Sequence, residues 1–148
     1  MIQSEILPLV VAALAGLAMA LQGSLNTLLN KTVGLWEATF IVHLLATGTV
    51  AALLFLGGVG TGELMRFGRA PWFSFLGGPI GVAITLGVVI AIKKVGMTYA
   101  TTSIIVGQVL AAMVIDHFGL FGVEKLAFSA FKLLGLVFLA LGARILLS

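Results

Sequence analysis

The stretch 6-ILPLVVAALAGLAMALQGSLNTLL-29 decides the fold class, because it is apolar for long enough to cross a lipid bilayer. A membrane-spanning helix needs about 20 predominantly apolar residues, and this stretch exceeds that length. Its last turns and the residue that follows nevertheless carry amide and hydroxyl side chains, at Gln22, Ser24, Asn26, Thr27 and Asn30. An amide in lipid without a hydrogen-bond partner is costly. We therefore expect these side chains to meet protein or water.

The composition of the whole chain indicates the same solvent. Hydrophobic residues make up 61% of the 148 residues and charged residues only 9%, whereas about 25% is typical of soluble domains. A soluble fold could not hide that much apolar surface, so the chain is predicted to be an integral membrane protein. The sequence has no cysteine, which excludes disulfides and thiolate metal sites. Its net charge of +3 has no basic cluster, which argues against nucleic-acid binding.

Five segments satisfy the length requirement, and the predicted fold class is therefore all-α, an integral membrane bundle of five transmembrane helices. The predicted spans are residues 6–29, 38–59, 72–92, 98–115 and 127–147. Because the connections between them are short, residues 1–148 are expected to form a single transmembrane domain, and no internal repeat is evident. In the third span Pro79 predicts a kink or break. Gly77 and Gly81 form a GxxxG pair, which favours close helix packing, with a hinge as the alternative.

The basic residues do not assign an orientation to this bundle. Five spans put the two termini on opposite sides of the membrane. The N-terminal side carries Arg66, Arg69, Lys125 and Lys132, and the other side carries Lys31, Lys93, Lys94 and Arg144. The positive-inside rule depends on an imbalance, and the two sides carry equal numbers of basic residues. Either one orientation prevails through a weak count, or, as we favour, the chain inserts both ways and pairs as an antiparallel homodimer.

Polar residues inside the spans are the candidate site residues, because lipid rejects them. Gln22 and Asn26 lie four residues apart and share a face of the first helix. His43 is the one titratable group well inside a span, and imidazole titrates near physiological pH. Thr101 and Gln108 lie seven residues apart and align on the fourth helix. Each has a structural alternative: hydrogen bonds between helices, packing of the imidazole, or a hydroxyl bonded to its own helix.

These polar residues gather in one half of the bilayer, with Gln108 near the middle. One-sided polarity predicts a half-vestibule in each subunit. Two antiparallel copies would then open vestibules towards both membrane faces, which is the geometry that alternating access uses.

The chain also carries an ordered set of motifs. They are Gly16 before Gln22-Gly23-x-Leu25-Asn26, Trp36-x-Ala38-x-Phe40, Trp72 with 77-GGPIG-81, 107-GQ-108, 116-DHFG-119, and the late glycines Gly135 and Gly142. This set resembles the YdcZ-type family of small bacterial inner-membrane proteins in the drug/metabolite transporter superfamily. The resemblance covers nearly the whole chain. It implies five transmembrane helices, a multi-pass location in the bacterial inner (plasma) membrane, and membership among single-domain, dual-topology or paired transporters.

The resemblance supplies no substrate and no catalytic role. The positions that match the family pattern are Gln22, Asn26, Trp36, Gln108, Asp116 and His117. The related four-helix small multidrug exporters carry a glutamate in their first helix, whereas the middle of the first helix here holds Met19 and Gln22. That difference argues against exchange of lipophilic cations for protons by their mechanism.

The predicted function is a small secondary transporter of the drug/metabolite transporter type, which moves a small polar metabolite by alternating access in an antiparallel dimer. Gln22, Asn26 and Gln108 are expected to hydrogen-bond the solute, with Thr101 on the same wall as Gln108. Trp36 is expected to form an aromatic wall, and His43 is the leading candidate for proton coupling. The substrate-binding set is therefore Gln22, Asn26, Trp36, His43, Thr101 and Gln108.

The expected partners are the lipid bilayer, an antiparallel copy of the chain or a paralogous chain, and a small-molecule solute. No cofactor, metal or nucleic acid is expected. Enzymatic activity is not expected either, because no Ser/His/Asp, HExxH or clustered-carboxylate pattern occurs. The alternative function is a membrane scaffold or accessory subunit whose polar residues only mediate helix packing. A passive channel would need a continuous polar stripe, which the aliphatic halves of the spans do not offer.

Overall fold

The computed structural model describes residues 2–60, 62–127 and 129–148, with side chains described from Ile6 onward. Within these residues the chain forms five α-helices: α1 (Ile2–Val33), α2 (Leu35–Phe55), α3 (Gly77–Val95), α4 (Met97–Phe118) and α5 (Ala130–Leu146). Short 3-10 helices lie at Leu64–Arg69, Trp72–Leu76 and Leu120–Gly122. For this part of the chain the predicted all-α fold class is confirmed.

Four helical segments are long and apolar enough to cross a membrane. They are Ile6–Val33, Leu35–Phe55, Trp72–Val95 and Met97–Phe118. The fifth helix has 17 residues, at the lower end of the length that spans a bilayer, so the count of five spans stays a prediction.

The fifth helix begins later than the sequence predicts. The predicted span starts at Ala127, and its second residue, Phe128, lies outside the described residues. The helix itself begins at Ala130, because the Ser129 hydroxyl caps it by accepting the Lys132 backbone N–H at 3.3 Å. The hydrophobicity of residues 127–147 alone does not indicate that the helix begins at Ala130.

Two of the connections between helices are much shorter than predicted. The sequence predicts a connection over residues 30–37, yet α1 continues to Val33 and α2 begins at Leu35. The third and fourth spans extend likewise, to Val95 and back to Met97. Polar residues end an apolar run but not a helix, since the backbone hydrogen bonds continue where the helix leaves the hydrocarbon core.

A single glycine forms each of these connections. Gly34 has φ 99° and ψ 164°, and Gly96 has φ 86° and ψ 170°. This region of backbone space is essentially restricted to glycine. In both turns the glycine carbonyl accepts a backbone N–H from four residues ahead, from Ala38 at 3.0 Å and from Ala100 at 3.1 Å. The same turn therefore occurs twice.

The two turns also share their sequence. The stretches 31-KTVGLWEAT-39 and 93-KKVGMTYAT-101 are identical at the lysine, valine, glycine, alanine and threonine positions. Both alanines are buried, with 3% of Ala38 and 2% of Ala100 exposed. The helices before and after each turn diverge, which is why the sequence shows no repeat on inspection. The same turn motif therefore joins α1 to α2 and α3 to α4.

The predicted break in the third span lies at Gly77. Trp72–Leu76 is a 3-10 helix and α3 begins at Gly77, so Pro79 falls in the first turn of the α-helix. A proline there removes no intrahelical hydrogen bond, because the first N–H groups of a helix have no partner within it. The position of Pro79 thus favours the start of α3.

The chain divides into two compact units, Met1–Lys93 and Lys94–Ser148. In the first, α1 packs against α2, and α3 contacts both. A Cβ atom added at Gly23 would lie 3.1 Å from side-chain atoms of Val88 and Ile92, and one added at Gly81 would lie 3.9 Å from His43 Nε2.

In the second unit α4 packs against α5. The carbonyl of Asp116 accepts the Leu126 backbone N–H at 2.8 Å, which ties the connection between the two helices to the end of α4. The assignment of the whole chain to a single domain stays a prediction.

The buried part of the protein consists mainly of small and polar residues. Val89 is the one large side chain that is fully buried among the described residues, and the other buried apolar residues are Ala38, Ala100 and Ala143. The buried polar residues are Asn26, Thr27, Asn30, Thr39 and Thr102. Large aliphatic and aromatic side chains lie exposed along every α-helix. Small residues between helices and large ones outside are typical of packing in lipid.

Candidate functional site

One face of α1 is buried and polar near its C-terminal end. Gly23, Asn26, Thr27 and Asn30 are buried and follow the i, i+3, i+4, i+7 spacing of a single helix face. We call these four residues the amide face. Of the predicted pair Gln22 and Asn26, Asn26 belongs to this face and is 8% exposed, whereas Gln22 is exposed. The spacing of the buried set is present in the sequence and could have been found there.

The buried hydroxyls near this face are satisfied within their own helices. Thr27 donates to the Gly23 carbonyl at 2.7 Å, and Thr39 donates to the Leu35 carbonyl at 2.8 Å. On α3, Thr85 donates to the Gly81 carbonyl at 3.1 Å. Hydroxyls bonded in this way need no partner on another helix. These threonines therefore do not hold the helices together by hydrogen bonds.

Asn30 differs from the threonines. Its side chain is only 5% exposed, and its Oδ1 has no hydrogen-bond partner among the described residues. A buried acceptor without a donor costs about 1–3 kcal/mol. The sequence-based set of site residues omits Asn30, although this asparagine lies four residues after Asn26 on the same face. Its unpaired oxygen is a polar group that the fold itself leaves open for a donor.

The imidazole of His43 is oriented by its own helix. Its Nδ1 lies 2.8 Å from the Thr39 carbonyl oxygen. Because a carbonyl only accepts hydrogen bonds, Nδ1 carries a proton, and in the neutral ring Nε2 then keeps a free lone pair. Nε2 lies towards α3, at 3.9 Å from a Cβ added at Gly81. His43 is thus half-buried and presents a proton-accepting nitrogen where α2 meets α3.

The depths of these residues follow from their distance along the chain to Gly34. With a rise of 1.5 Å per residue, Asn30 lies about 6 Å from the turn, Asn26 about 12 Å and His43 about 14 Å. α1 and α2 are antiparallel because a single residue joins them and they pack together. Asn26 and His43 therefore lie at nearly the same distance from the turn, and Asn30 lies closer to it.

The other predicted site residues are more exposed. Trp36 lies in the first turn of α2 and is 67% exposed. On α4, which belongs to the second compact unit, Thr101 is half-buried and Gln108 is exposed. Among residues 2–60, 62–127 and 129–148, no group of three or more His, Cys, Asp or Glu side chains is placed to hold a metal ion.

Residues 7–145 match the family model DMT_YdcZ, whose description is "Putative inner membrane exporter, YdcZ". The chain belongs to the YdcZ family. The match covers α2, α3 and α4 in full and most of α1 and α5, and it confirms the resemblance drawn from the sequence motifs. Together with four helices that are long and apolar enough to span a bilayer, YdcZ membership identifies a multi-pass inner-membrane protein. No curated protein and no solved structure matches the sequence.

Proposed function

We propose that this YdcZ-family protein is a small secondary transporter of the drug/metabolite transporter type. It moves a small polar metabolite across the inner membrane by alternating access in an antiparallel dimer. The buried amide face of α1 carries the proposal, since buried amides in a membrane protein mark a polar path more often than a lipid contact. The family description as an exporter supports transport over a scaffold.

In this proposal Asn26 is the central hydrogen-bonding residue, because it is buried on α1 at the depth of His43. Gln22 and Gln108 add hydrogen bonds to the solute, Thr101 lines the α4 wall, and Trp36 supplies an aromatic surface. A site made of uncharged amides suits neutral or zwitterionic solutes better than fixed cations. Two copies related by a twofold axis in the membrane plane would expose this site to opposite sides in turn.

His43 accepts the coupling proton at Nε2, since its Nδ1 is already bonded to Thr39. Protonation places a charge at the contact between α2 and α3, where Gly81 lies close to the ring. A charge in that position favours an arrangement in which α3 separates from α2 and water reaches the ring. Proton binding and solute access are coupled in this way.

Transport by purified protein in proteoliposomes, with a panel of neutral, zwitterionic and charged metabolites, tests the proposal. We expect uptake of at least one polar solute and its loss in Asn26→Leu and in Gln22→Leu. Thr49→Val is the matched control, because the Thr49 hydroxyl is exposed and bonds its own helix at the Leu45 carbonyl. If both amide variants transport like the wild type, the site assignment is wrong.

The coupling role has its own test. With His43→Asn, uptake driven by a pH gradient is expected to stop, whereas exchange of solute down its own gradient continues. Uptake that still follows the pH gradient would refute proton coupling through His43. Absence of any transport, together with a weaker dimer in the amide variants, would instead favour an accessory subunit.

The antiparallel dimer is tested by a topology reporter at the C-terminus. Signals from both sides of the membrane are expected if the chain inserts both ways. A signal from one side alone would overturn the antiparallel homodimer.

A further inference from the structure

Asn30 is an acceptor that the fold does not use. Its Oδ1 is buried and has no hydrogen-bond partner among the described residues, while Thr27 on the same face is satisfied by its own helix. Natural folds retain such unpaired groups at functional sites more readily than elsewhere. The turn motif, the place of Asn30 on α1 and the charges near it therefore indicate which kind of donor it binds.

The repeated turn motif shows that the turn needs no amide at this position. When the two turn motifs are aligned, Asn30 corresponds to Ile92, and Asn26 corresponds to Val88. α3 thus reaches the same glycine turn with apolar residues at both positions. Asparagine at position 30 costs the fold free energy that isoleucine would not. The shared turn therefore gives no structural reason for the amide.

Asn30 lies between Asn26 and the Gly34 turn. It is one helical turn closer to Gly34 than Asn26 is, and it lies on the same face of α1. A solute that approaches Asn26 from the Gly34 end of the helix would meet Asn30 first. Two asparagines one turn apart could bind the solute in succession, or together.

Charged residues of both signs lie near this end of α1. Lys31 follows Asn30 directly and is exposed, Lys93 follows Ile92 on α3, and the carboxylate of Glu37 lies over the turn, 2.5 Å from a Cβ added at Gly34. The Asn30 Oδ1 carries no net charge and only accepts hydrogen bonds, so it selects for a donor and not for a charge. The neutral and zwitterionic class follows from the uncharged amides of the proposed site.

We propose that Asn30 is a solute-binding residue whose Oδ1 accepts an N–H from a neutral or zwitterionic solute on its way to Asn26. This inference rests on the proposed transport function and narrows the substrate class to solutes with N–H donors. Such a solute supplies the hydrogen bond that the fold does not give to Oδ1. The bond forms when α1 opens to the solute and is lost again when the solute leaves.

The first test measures stability with no solute present. Asn30→Leu removes the unpaired acceptor at similar volume, so the Tm of the purified protein is expected to stay equal or to rise. Thr27→Val is the matched control, because it removes a satisfied hydroxyl on the same face, and its Tm is expected to fall slightly. A fall in the Tm of Asn30→Leu larger than that of Thr27→Val would overturn the proposal, since Oδ1 would then be satisfied in the folded protein.

The second test uses two probe pairs in which N-methylation removes the N–H donors and leaves the net charge unchanged. Glycine and trimethylglycine are both zwitterions, and acetamide and N,N-dimethylacetamide are both neutral amides. Glycine and acetamide are expected to raise the Tm of the wild type more than their methylated partners do. Asn30→Leu is expected to weaken binding of both donors about tenfold, as for one lost hydrogen bond, and Thr27→Val to leave it unchanged. If Asn30→Leu yields no folded protein, Asn30→Ala serves in this test.

Equal shifts within each pair, or no shift with any of the four probes, would overturn the donor assignment. The outcome is separable from that of the proposed function, because the thermal shift requires no transport. Binding of donors without transport would leave Asn30 as a site and refute the transporter. Transport that is unchanged in Asn30→Leu would refute the role of Asn30 and leave the transporter standing.

Discussion

The turn between α1 and α2 and the turn between α3 and α4 are alike, but the helices that they join differ. Both turns have a lysine, a valine, a glycine with positive φ, a buried alanine and a threonine in the same order. Asn26, Asn30 and His43 of α1 and α2 correspond to Val88, Ile92 and Ile105 of α3 and α4. The turn motif is therefore compatible with polar and with apolar helices, and the polar residues of α1 and α2 are not required by it.

The comparison is tested most severely at Val89, which corresponds to Thr27 and is 1% exposed. Val89→Asn places an amide without a partner in the most buried position of α3, and we expect a loss of about 3 kcal/mol in the free energy of unfolding. Val89→Thr should cost less than about 1 kcal/mol, because its hydroxyl can bond the Thr85 carbonyl as Thr27 bonds Gly23. Denaturant unfolding in detergent measures both. Equal losses in the two variants would show that a hydroxyl at position 89 of α3 does not bond its own helix as that of Thr27 does on α1.

The shared turn is tested by Gly34→Ala and Gly96→Ala. Both glycines have a positive φ and an extended ψ, so each alanine should destabilise by about 1–3 kcal/mol, and by similar amounts. At Gly34 the new methyl also displaces the flexible carboxylate of Glu37. Thermal unfolding of each variant gives the comparison. The double variant Gly34→Ala/Glu37→Ala removes the contact with the Glu37 carboxylate, so that its remaining loss reports the backbone strain alone. A neutral effect at either glycine would show that the two turns are not equivalent.

Close packing of α1 against α3 is tested at Gly23. An added methyl would lie 3.1 Å from side-chain atoms of Val88 and Ile92, so Gly23→Ala should cost about 1 kcal/mol by overpacking. Gly16 has no atom within 4 Å of an added methyl, and Gly16→Ala should instead stabilise α1 by about 0.5 kcal/mol. The contrast in sign between two alanines on one helix is read from their Tm values. Stabilisation by both would mean that α3 does not pack against Gly23.

The smallest effect is expected in the connection between α2 and α3. There Arg66 forms an ion pair with Glu63, and both side chains are more than half exposed. Arg66→Ala should change the free energy of unfolding by about 0.5 kcal/mol or less, since water and salt screen such pairs. Unfolding at low and high salt measures this change. A large, salt-dependent loss would mean that the connection itself contributes to the stability of the fold.

Apolar runs in the sequence predict where the helices of this protein lie, but not the residues at which the helices begin and end. An apolar run such as 6–29 identifies a membrane helix because lipid acts on composition. It cannot show that Asn30 to Val33 continue the helix, because those residues lie where water can satisfy their side chains. The turn at Gly34 cannot be predicted from the glycine alone, because glycine is also common inside membrane helices.

The candidate site shows the same pattern. Asn26 and His43 are candidates from the sequence because polarity inside a span is unusual. The sequence also shows Asn30, but not that its side chain is buried while Gln22 is exposed, because the choice of buried face depends on how α1 rotates against α2 and α3. That rotation is set by contacts such as Gly23 with Val88 and Ile92, which belong to tertiary packing.

The one-residue turn at Gly34 also determines the order in which this part of the chain can fold. Closing a loop costs entropy that grows with its length, and here there is almost no loop to close. The contacts between α1 and α2 nearest the turn join residues close in sequence, and each further contact is only slightly more distant than the last. We therefore expect the α1–α2 hairpin to form from Gly34 outward and to be complete before any contact with α3. The amide face of α1 would then be in place before α3 packs against it.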